Sequence, residues 1–158
     1  MLVGFGYDIH RLEPGRPMRL GGIDIPDAAA GPVAHSDGDV ILHALCDALL
    51  GAACLGDIGI HFPDTDPLWH DAPSLRFLEE VRRMLEEHGL RPCNVDCMVI
   101  LERPRLSPYR DAMRERIAGV LGIPRDRVSI KATTAEGIGE LGAGAGMAAH
   151  AVAMVEPI

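Results

Sequence analysis

Apolar positions along the chain fall into short runs broken by glycine, proline and acidic residues, and the period within each run points to an element. Val3 to Leu12 reads as a strand, and Met18 to Pro26 as a hairpin whose Gly21-Gly22 pair permits the positive φ of a tight turn. Residues 27–37 are expected to be loop. Asp37 and Asp39 then precede Val40 to Leu50, a run that predicts a helix ended near Gly51 or Gly56. That helix is apolar almost all round, so most of it should be buried. Gly56 to Pro67 carries too many breakers for a regular element.

Ser74 to His88 has the spacing of an amphipathic helix, with Leu75, Leu78, Val81 and Leu85 on one side. Ser74 is placed to cap its start and Gly89 its end. Val95 to Leu101 predicts a strand. Ser107 opens another helix, with Pro108 at its first position and its end near Gly122. Val128 to Thr133 and Met147 to Val155 predict the last two strands. Strands alternating with helices predict an α/β sandwich: a mixed β-sheet covered by helices on one side, in a single domain spanning residues 1–158.

Composition narrows the function. An apolar fraction of 47% with 24% charged residues excludes a disordered tail, and only 4% aromatic residues leave an aliphatic core. A net charge of −8 argues against binding nucleic acid, which needs a basic face. It permits a small phosphorylated ligand where metal ions supply the positive charge. No apolar run approaches the roughly 20 residues that span a bilayer. The first residues lack the basic-then-apolar order of a signal peptide. Cys46, Cys54, Cys93 and Cys97 form no CxxC pair and lie in apolar stretches, which predicts buried free thiols and a cytoplasmic protein.

Asp8 and His10 stand two apart on a predicted strand, so both side chains leave the same face. A carboxylate and an imidazole so placed suit a divalent metal such as zinc; an exposed pair at a strand end is the plainer alternative. His43 lies in a buried helix, where a charged imidazole is costly and a metal or a carboxylate would resolve the cost. With Asp8 and His10 it would make three ligands and one open position, as catalytic zinc requires. Residues Ala34 to Asp39 lead a loop into a helix, where free N–H groups attract phosphate or where Asp37 or Asp39 simply caps. The acidic loops at Asp57 and at Asp64-Thr65-Asp66 suit sugar hydroxyls, a weak signal alone. Lys131 to Glu136 offers a cation, two hydroxyls and a carboxylate, a plausible phosphate-and-magnesium site. Gly137, Gly139 and Gly142 match GxGxxG, but a dinucleotide fold needs a helix, another strand and an acidic residue about 20 positions on; Glu156 lies near that distance but the chain stops at Ile158, so close packing or a tight turn explains the glycines better.

Taken in order, Gly6-Tyr7-Asp8-Ile9-His10, Ala34-His35-Ser36-Asp37-Gly38-Asp39-Val40, Gly56-Asp57-Ile58-Gly59, Phe62-Pro63-Asp64-Thr65-Asp66 and Lys131-Ala132-Thr133-Thr134 with Glu136 resemble the 2-C-methyl-D-erythritol 2,4-cyclodiphosphate synthase family of the non-mevalonate isoprenoid pathway. The resemblance spans essentially the whole chain. It implies a phosphorus–oxygen lyase, a homotrimer with active sites between subunits, and zinc plus magnesium or manganese at each site. It implies a substrate that is a cytidine diphosphate ester of methylerythritol 2-phosphate, closed to the cyclic diphosphate with loss of CMP. On matching positions, Asp8, His10 and His43 would hold zinc and Glu136 magnesium. His35 and Thr134 would position the phosphates and stabilise the transition state. Asp8, Ile9, His10, His35, Ser36, Asp57, Ile58, Gly59, Phe62, Pro63, Asp64, Thr65 and Asp66 would contact the methylerythritol diphosphate half. Leu101, Glu102, Arg103, Pro104, Arg105, Leu106 and Ser107 would read cytosine, with Thr133, Thr134, Ala135 and Glu136 on the phosphates. Members often carry an aromatic residue and an Arg–Gly–Glu segment near residues 140–145, lining a cavity on the trimer axis; Glu140, Ala143 and Ala145 stand there in this chain. Two other readings of the same residues are a metal-dependent phosphohydrolase and a nucleotide-binding module.

Overall fold

Residues 1–158 are described by a computed structural model. Strand β1 (Leu2–Pro14) is followed by the hairpin β2 (Arg19–Leu20) and β3 (Ile23–Asp24), short strand β4 (Ala30–Pro32) and helix α1 (Val40–Ala52). Then come the short helix α2 (Ile58–His61), a 3₁₀ turn at Pro67–Trp69, helix α3 (Ser74–Glu87) and strand β5 (Leu90–Ile100). Helix α4 (Arg110–Leu121), strand β6 (Val128–Thr133), short helix α5 (Gly139–Gly142) and strand β7 (Gly146–Pro157) complete the chain. The five-stranded sheet has the order β4-β1-β7-β5-β6 and is mixed: β7 runs antiparallel to both neighbours, while β5 and β6 are parallel. Helices α1, α3 and α4 pack on one face, as the alternation of elements predicts.

Alternate positions explain the layering. On β5 and β7, Val95, Cys97, Val99, Met147, Ala149, Ala151, Ala153 and Val155 are buried beneath the helices. Helix α1 supplies Leu42, Leu45 and Leu49 to the same core, each contributing about 1.5–3 kcal/mol on full burial. The approach of α1 to β1 is unusually close because β1 carries glycine where it meets the helix. A Cβ on Gly4 would stand 1.9 Å from the Ala48 carbonyl oxygen, and one on Gly6 would stand 1.9 Å from that of Ala44. Backbone therefore packs on backbone there.

The opposite face of the sheet has no cover. Val3, Phe5, Tyr7 and Ile9 of β1 are exposed there, Phe5 to 63%, beside Val152 and His150 of β7.

Several expectations need correction. Residues 27–37 contain β4, and 56–67 contain α2, because Asp57 caps four residues into a helical turn by accepting from the Ile60 N–H. Ser74 does not cap α3. The cap is Asp37, 37 residues away, whose carboxylate accepts from the Ser74 N–H at 3.0 Å. Helix α4 starts at Arg110 rather than Ser107, since residues 107–109 form a separate turn; its end at Gly122, with φ +68°, is as expected. Leu75 is only partly buried, and Phe77 takes the inward position beside Leu78, Val81 and Leu85. Cys46 and Cys97 are buried, but Cys54 is exposed in the turn after α1 and Cys93 is half-buried at a β-bulge. Local apolar sequence did not report those two side-chain directions.

Candidate active site

The Gly4 and Gly6 contact sets the distance between β1 and α1, and the next inward positions on β1 are Asp8 and His10. They meet His43 from the first turn of α1. Asp8 Oδ2, His10 Nε2 and His43 Nδ1 form a triangle with sides of 3.0, 2.9 and 3.2 Å. His43 is 6% exposed. Burial works to raise the Asp8 carboxyl, but hydrogen bonds from His10 and His43 overcome it and hold the group at about 2. Burial likewise works to lower His43, and Asp8 lifts it above the usual imidazole range. If those imidazole nitrogens give up their hydrogens, lone-pair atoms so close together repel unless a cation lies among them. A tetrahedral ion bound at about 2.0–2.1 Å has ligand–ligand edges of roughly 3.3 Å, close to the triangle observed. The three residues, singled out from strand and helix spacing, form a group able to hold a metal ion.

A cavity of about 320 Å³ opens onto this group. His35, Ser36, Ile58, Phe62 and Asp64 line it, as expected for a substrate pocket. His35 and Asp64 face each other across its mouth at 3.9 Å, both exposed. Its inner wall is a cluster of Phe62, Trp69 and Phe77 rings with centroids 4.9–5.4 Å apart. Trp69 and Phe77 were not foreseen; the lone tryptophan among breakers at residues 63–73 was the available signal. Asp57 and Asp66 spend oxygens capping short helical turns, at Ile60 and Leu68, although both carboxylates keep further acceptor capacity. Pro63, Thr65, Asp57, Gly59 and Asp66 are not in the cavity wall.

The other expected residues gather elsewhere. Leu101, Glu102, Pro104, Arg105, Leu106, Ser107, Thr133 and Thr134 line a second cavity of about 270 Å³. The Glu102 carboxylate accepts from the Ala135 N–H at 2.6 Å, tying the two loops together. Thr134 Oγ1 donates to Glu136 Oε1 at 3.2 Å, and Glu136 is exposed with φ +53°. Lys131 does not join them: its ammonium meets Asp96 at 2.6 Å on the uncovered face.

The sheet fixes how these groups relate. Ile9 pairs with Ala148, Ala148 with Ile100 and Ile100 with Thr133, so both cavities lie at the same end of the sheet. They are separated by three strand gaps, roughly 14 Å. A single chain therefore does not bring Glu136 to the Asp8, His10 and His43 group.

The glycines 137, 139 and 142 fold into a tight turn and α5. A Cβ on Gly142 would lie 2.2 Å from the Gly137 backbone, so this GxGxxG serves close packing.

Residues 1–156 match the model of the YgbB family. The 2-C-methyl-D-erythritol 2,4-cyclodiphosphate synthase of Symbiobacterium thermophilum is 59% identical over 155 residues, covering 98% of each chain. That of Gloeobacter violaceus is 53% identical over 156 residues, covering 99% of this chain and 95% of its own. A solved 2C-methyl-D-erythritol-2,4-cyclodiphosphate synthase in its CDP-bound form superposes with a TM-score of 0.90 at 42% identity, covering 98% of this chain and 99% of its own.

Proposed function

The chain belongs to the YgbB family, and from that premise we propose that it converts 4-diphosphocytidyl-2-C-methyl-D-erythritol 2-phosphate to 2-C-methyl-D-erythritol 2,4-cyclodiphosphate and CMP. A 2-phosphate oxygen bonds to the β-phosphorus, and the bond from that phosphorus to the oxygen bridging the α-phosphorus breaks. The bridging oxygen leaves with CMP. The observation that carries this reading is the preassembled Asp8, His10 and His43 triangle at the floor of a cavity, in a chain matching this family end to end.

The substrate brings its own nucleophile, so the protein needs no activated serine or cysteine. Phosphoryl transfer of this kind depends on in-line positioning and on neutralising phosphate oxygens. Asp8, His10 and His43 would hold zinc, and Glu136 would hold magnesium or manganese. Those ions, when bound, supply the positive charge that an acidic chain lacks at the α- and β-phosphates. The protein's own part is geometry. His35, at the cavity mouth, and Thr134, at the end of β6, present donors to phosphate oxygens. Ile58, Phe62 and Asp64 would wall the pocket with the aromatic cluster, and Asp57, with Gly59, Pro63, Thr65 and Asp66 on the adjoining turns, would meet the methylerythritol hydroxyls from beyond that wall. The loop from Leu101 to Ser107 receives the cytidine, its second cavity being of a size for a base and ribose.

The separation of roughly 14 Å between the two halves supports a site shared by neighbouring subunits. One subunit would supply Asp8, His10 and His43, and the next would supply Thr133 to Glu136. The uncovered apolar face of the sheet supports the same assembly, because Val3, Phe5, Tyr7 and Ile9 gain cover only from another chain. A homotrimer closes such a head-to-tail contact. No helix is long and apolar enough to cross a membrane.

Phosphorus NMR of the protein with the cytidylated substrate tests the reaction. Expected are resonances of CMP and a cyclic diphosphate; inorganic phosphate as the product would instead identify a phosphohydrolase.

A further inference from the structure

The metal-facing nitrogen of His43 is only half of that ring. Its other nitrogen, Nε2, lies 2.8 Å from Ser74 Oγ and 3.1 Å from Ser36 Oγ. Ser74 is fully buried at the start of α3, and its hydroxyl donates to Asp37 Oδ1 in a short hydrogen bond. Asp37 in turn accepts from the Ser74 N–H at 3.0 Å and from the Asp39 N–H at 3.1 Å. Donor counting orders this chain. A carboxylate only accepts, so the single Ser74 hydrogen is committed to Asp37. Ser74 Oγ then has only lone pairs to offer His43, and Nε2 must be the nitrogen that carries hydrogen. Ser36 Oγ accepts from the Gly38 N–H and presents a second oxygen to the same Nε2–H. Where a metal ion takes the place of the hydrogen that Nδ1 shares with Asp8, the lone pair left for it is the one on Nδ1, which points at Asp8 and His10.

We infer that Asp37 and Ser74 are positioning residues for the metal site: they fix which nitrogen of His43 bears hydrogen and hold the ring so that Nδ1 is the ligand. Partners of this kind on ligating histidines typically account for ten- to a hundredfold in metal affinity. The inference rests on reading Asp8, His10 and His43 as the metal site and deepens it. It also explains why a helix is capped from 37 residues away. The carboxylate that closes α3 is the one that polarises the serine.

Zinc competition against a chromophoric chelator, with long-range proton–nitrogen-15 spectra of the histidine rings, tests this on the intact chain. Ser74→Ala removes the oxygen that receives the Nε2 hydrogen and should weaken zinc binding roughly ten- to a hundredfold. Asp37→Asn keeps an oxygen for the Ser74 N–H but turns an acceptor into an amide that can donate to Ser74 Oγ. The serine hydrogen is then free to turn toward His43. Zinc affinity should fall in the same direction, and spectra of the zinc-loaded variant should show the His43 Nε2 shift displaced as its hydrogen loses the serine acceptor. A purely structural role predicts the opposite split: a lower melting temperature with unchanged zinc affinity and unchanged nitrogen shifts, which would overturn the inference. If the unmodified chain itself binds no zinc, the metal reading fails and this inference falls with it. Parent-like affinity and nitrogen shifts in both variants remove the inference alone.

Discussion

The two ends of the proposed site are built on opposite plans. Asp8, His10 and His43 come from a buried strand–helix contact within one chain, and their donor atoms already lie 2.9–3.2 Å apart. Thr134 and Glu136 stand exposed beyond the last strand of the sheet, bonded only to each other and to their own loop. Desolvation before any ligand arrives suits a tightly held ion. An exposed carboxylate suits one that arrives with the substrate's phosphates and leaves with the product. On the proposed reading, the contrast would tie a resident metal to the fold's core and an exchangeable one to its rim.

The largest expected effect comes from breaking the buried end. His43→Ala should lose tight zinc binding and at least roughly a thousandfold in turnover, checked by metal analysis beside a rate assay. Full activity in a demonstrably zinc-free variant would contradict the role. Mixing that variant with Thr134→Ala before reassembly sharpens the comparison. If neighbours contribute opposite ends, random mixed oligomers should recover about a quarter of parental activity, since one interface in four combines two intact halves. No recovery, with mixing verified by mass spectrometry, would place both ends in one subunit.

Breaking the exposed end should be milder. Glu136→Gln is expected to lower turnover roughly ten- to a hundredfold and raise the magnesium needed for half-maximal rate, with zinc content unchanged. Superimposable magnesium titrations would eliminate the metal role.

Gly6→Ala probes the spacing behind the buried end. Its methyl has no room against Ala44, so the strand and helix must part, at a stability cost of about 1–3 kcal/mol. Zinc should bind more weakly although no ligand has changed. Parental zinc affinity in a folded Gly6→Ala protein would show that the strand–helix distance does not govern the site.

Smallest is a proton-linked effect. Asp8 titrates at about 2 in the metal-free fold against 3.8 unperturbed. Between those values the unfolded chain binds more protons, so this group's stabilisation is complete above about pH 4 and lost as pH falls toward 2. Denaturant titrations should show a shallower loss over that range in Asp8→Asn, by roughly 2 kcal/mol at most.

Which parts were legible beforehand follows from the range of each interaction. The alternation along β1 and the position of His43 near a helix start were local, and they predicted the metal triangle. The mixed sheet under one layer of helices followed from element order. Ser74 looked like a local cap because capping residues are ordinarily adjacent in sequence, yet its partner, Asp37, lies far upstream. Lys131 looked available for phosphate because nothing local announces Asp96 on the neighbouring strand. Trp69 and Phe77 face the cavity because the segment leading into α3 folds back on the loop before α1, where the Asp71 N–H meets the His35 carbonyl and the Ser74 N–H meets Asp37. Every one of these misses involves a partner distant in sequence.

Strand β1 takes part in two closures of very different length. Its pairing with β7 joins Leu2 to Val155, while its contact with α1 joins residues only 35 positions apart, Asp8 to His43. Loop-closure entropy makes the longer connection about 1 kcal/mol harder to form before other contacts assist it. The order of assembly is biased accordingly: the ligand triangle can condense early with α1 on β1, and the sheet's centre must wait for the last strand. Zinc present during refolding should therefore accelerate the early phase and leave the late, sheet-closing phase nearly unchanged.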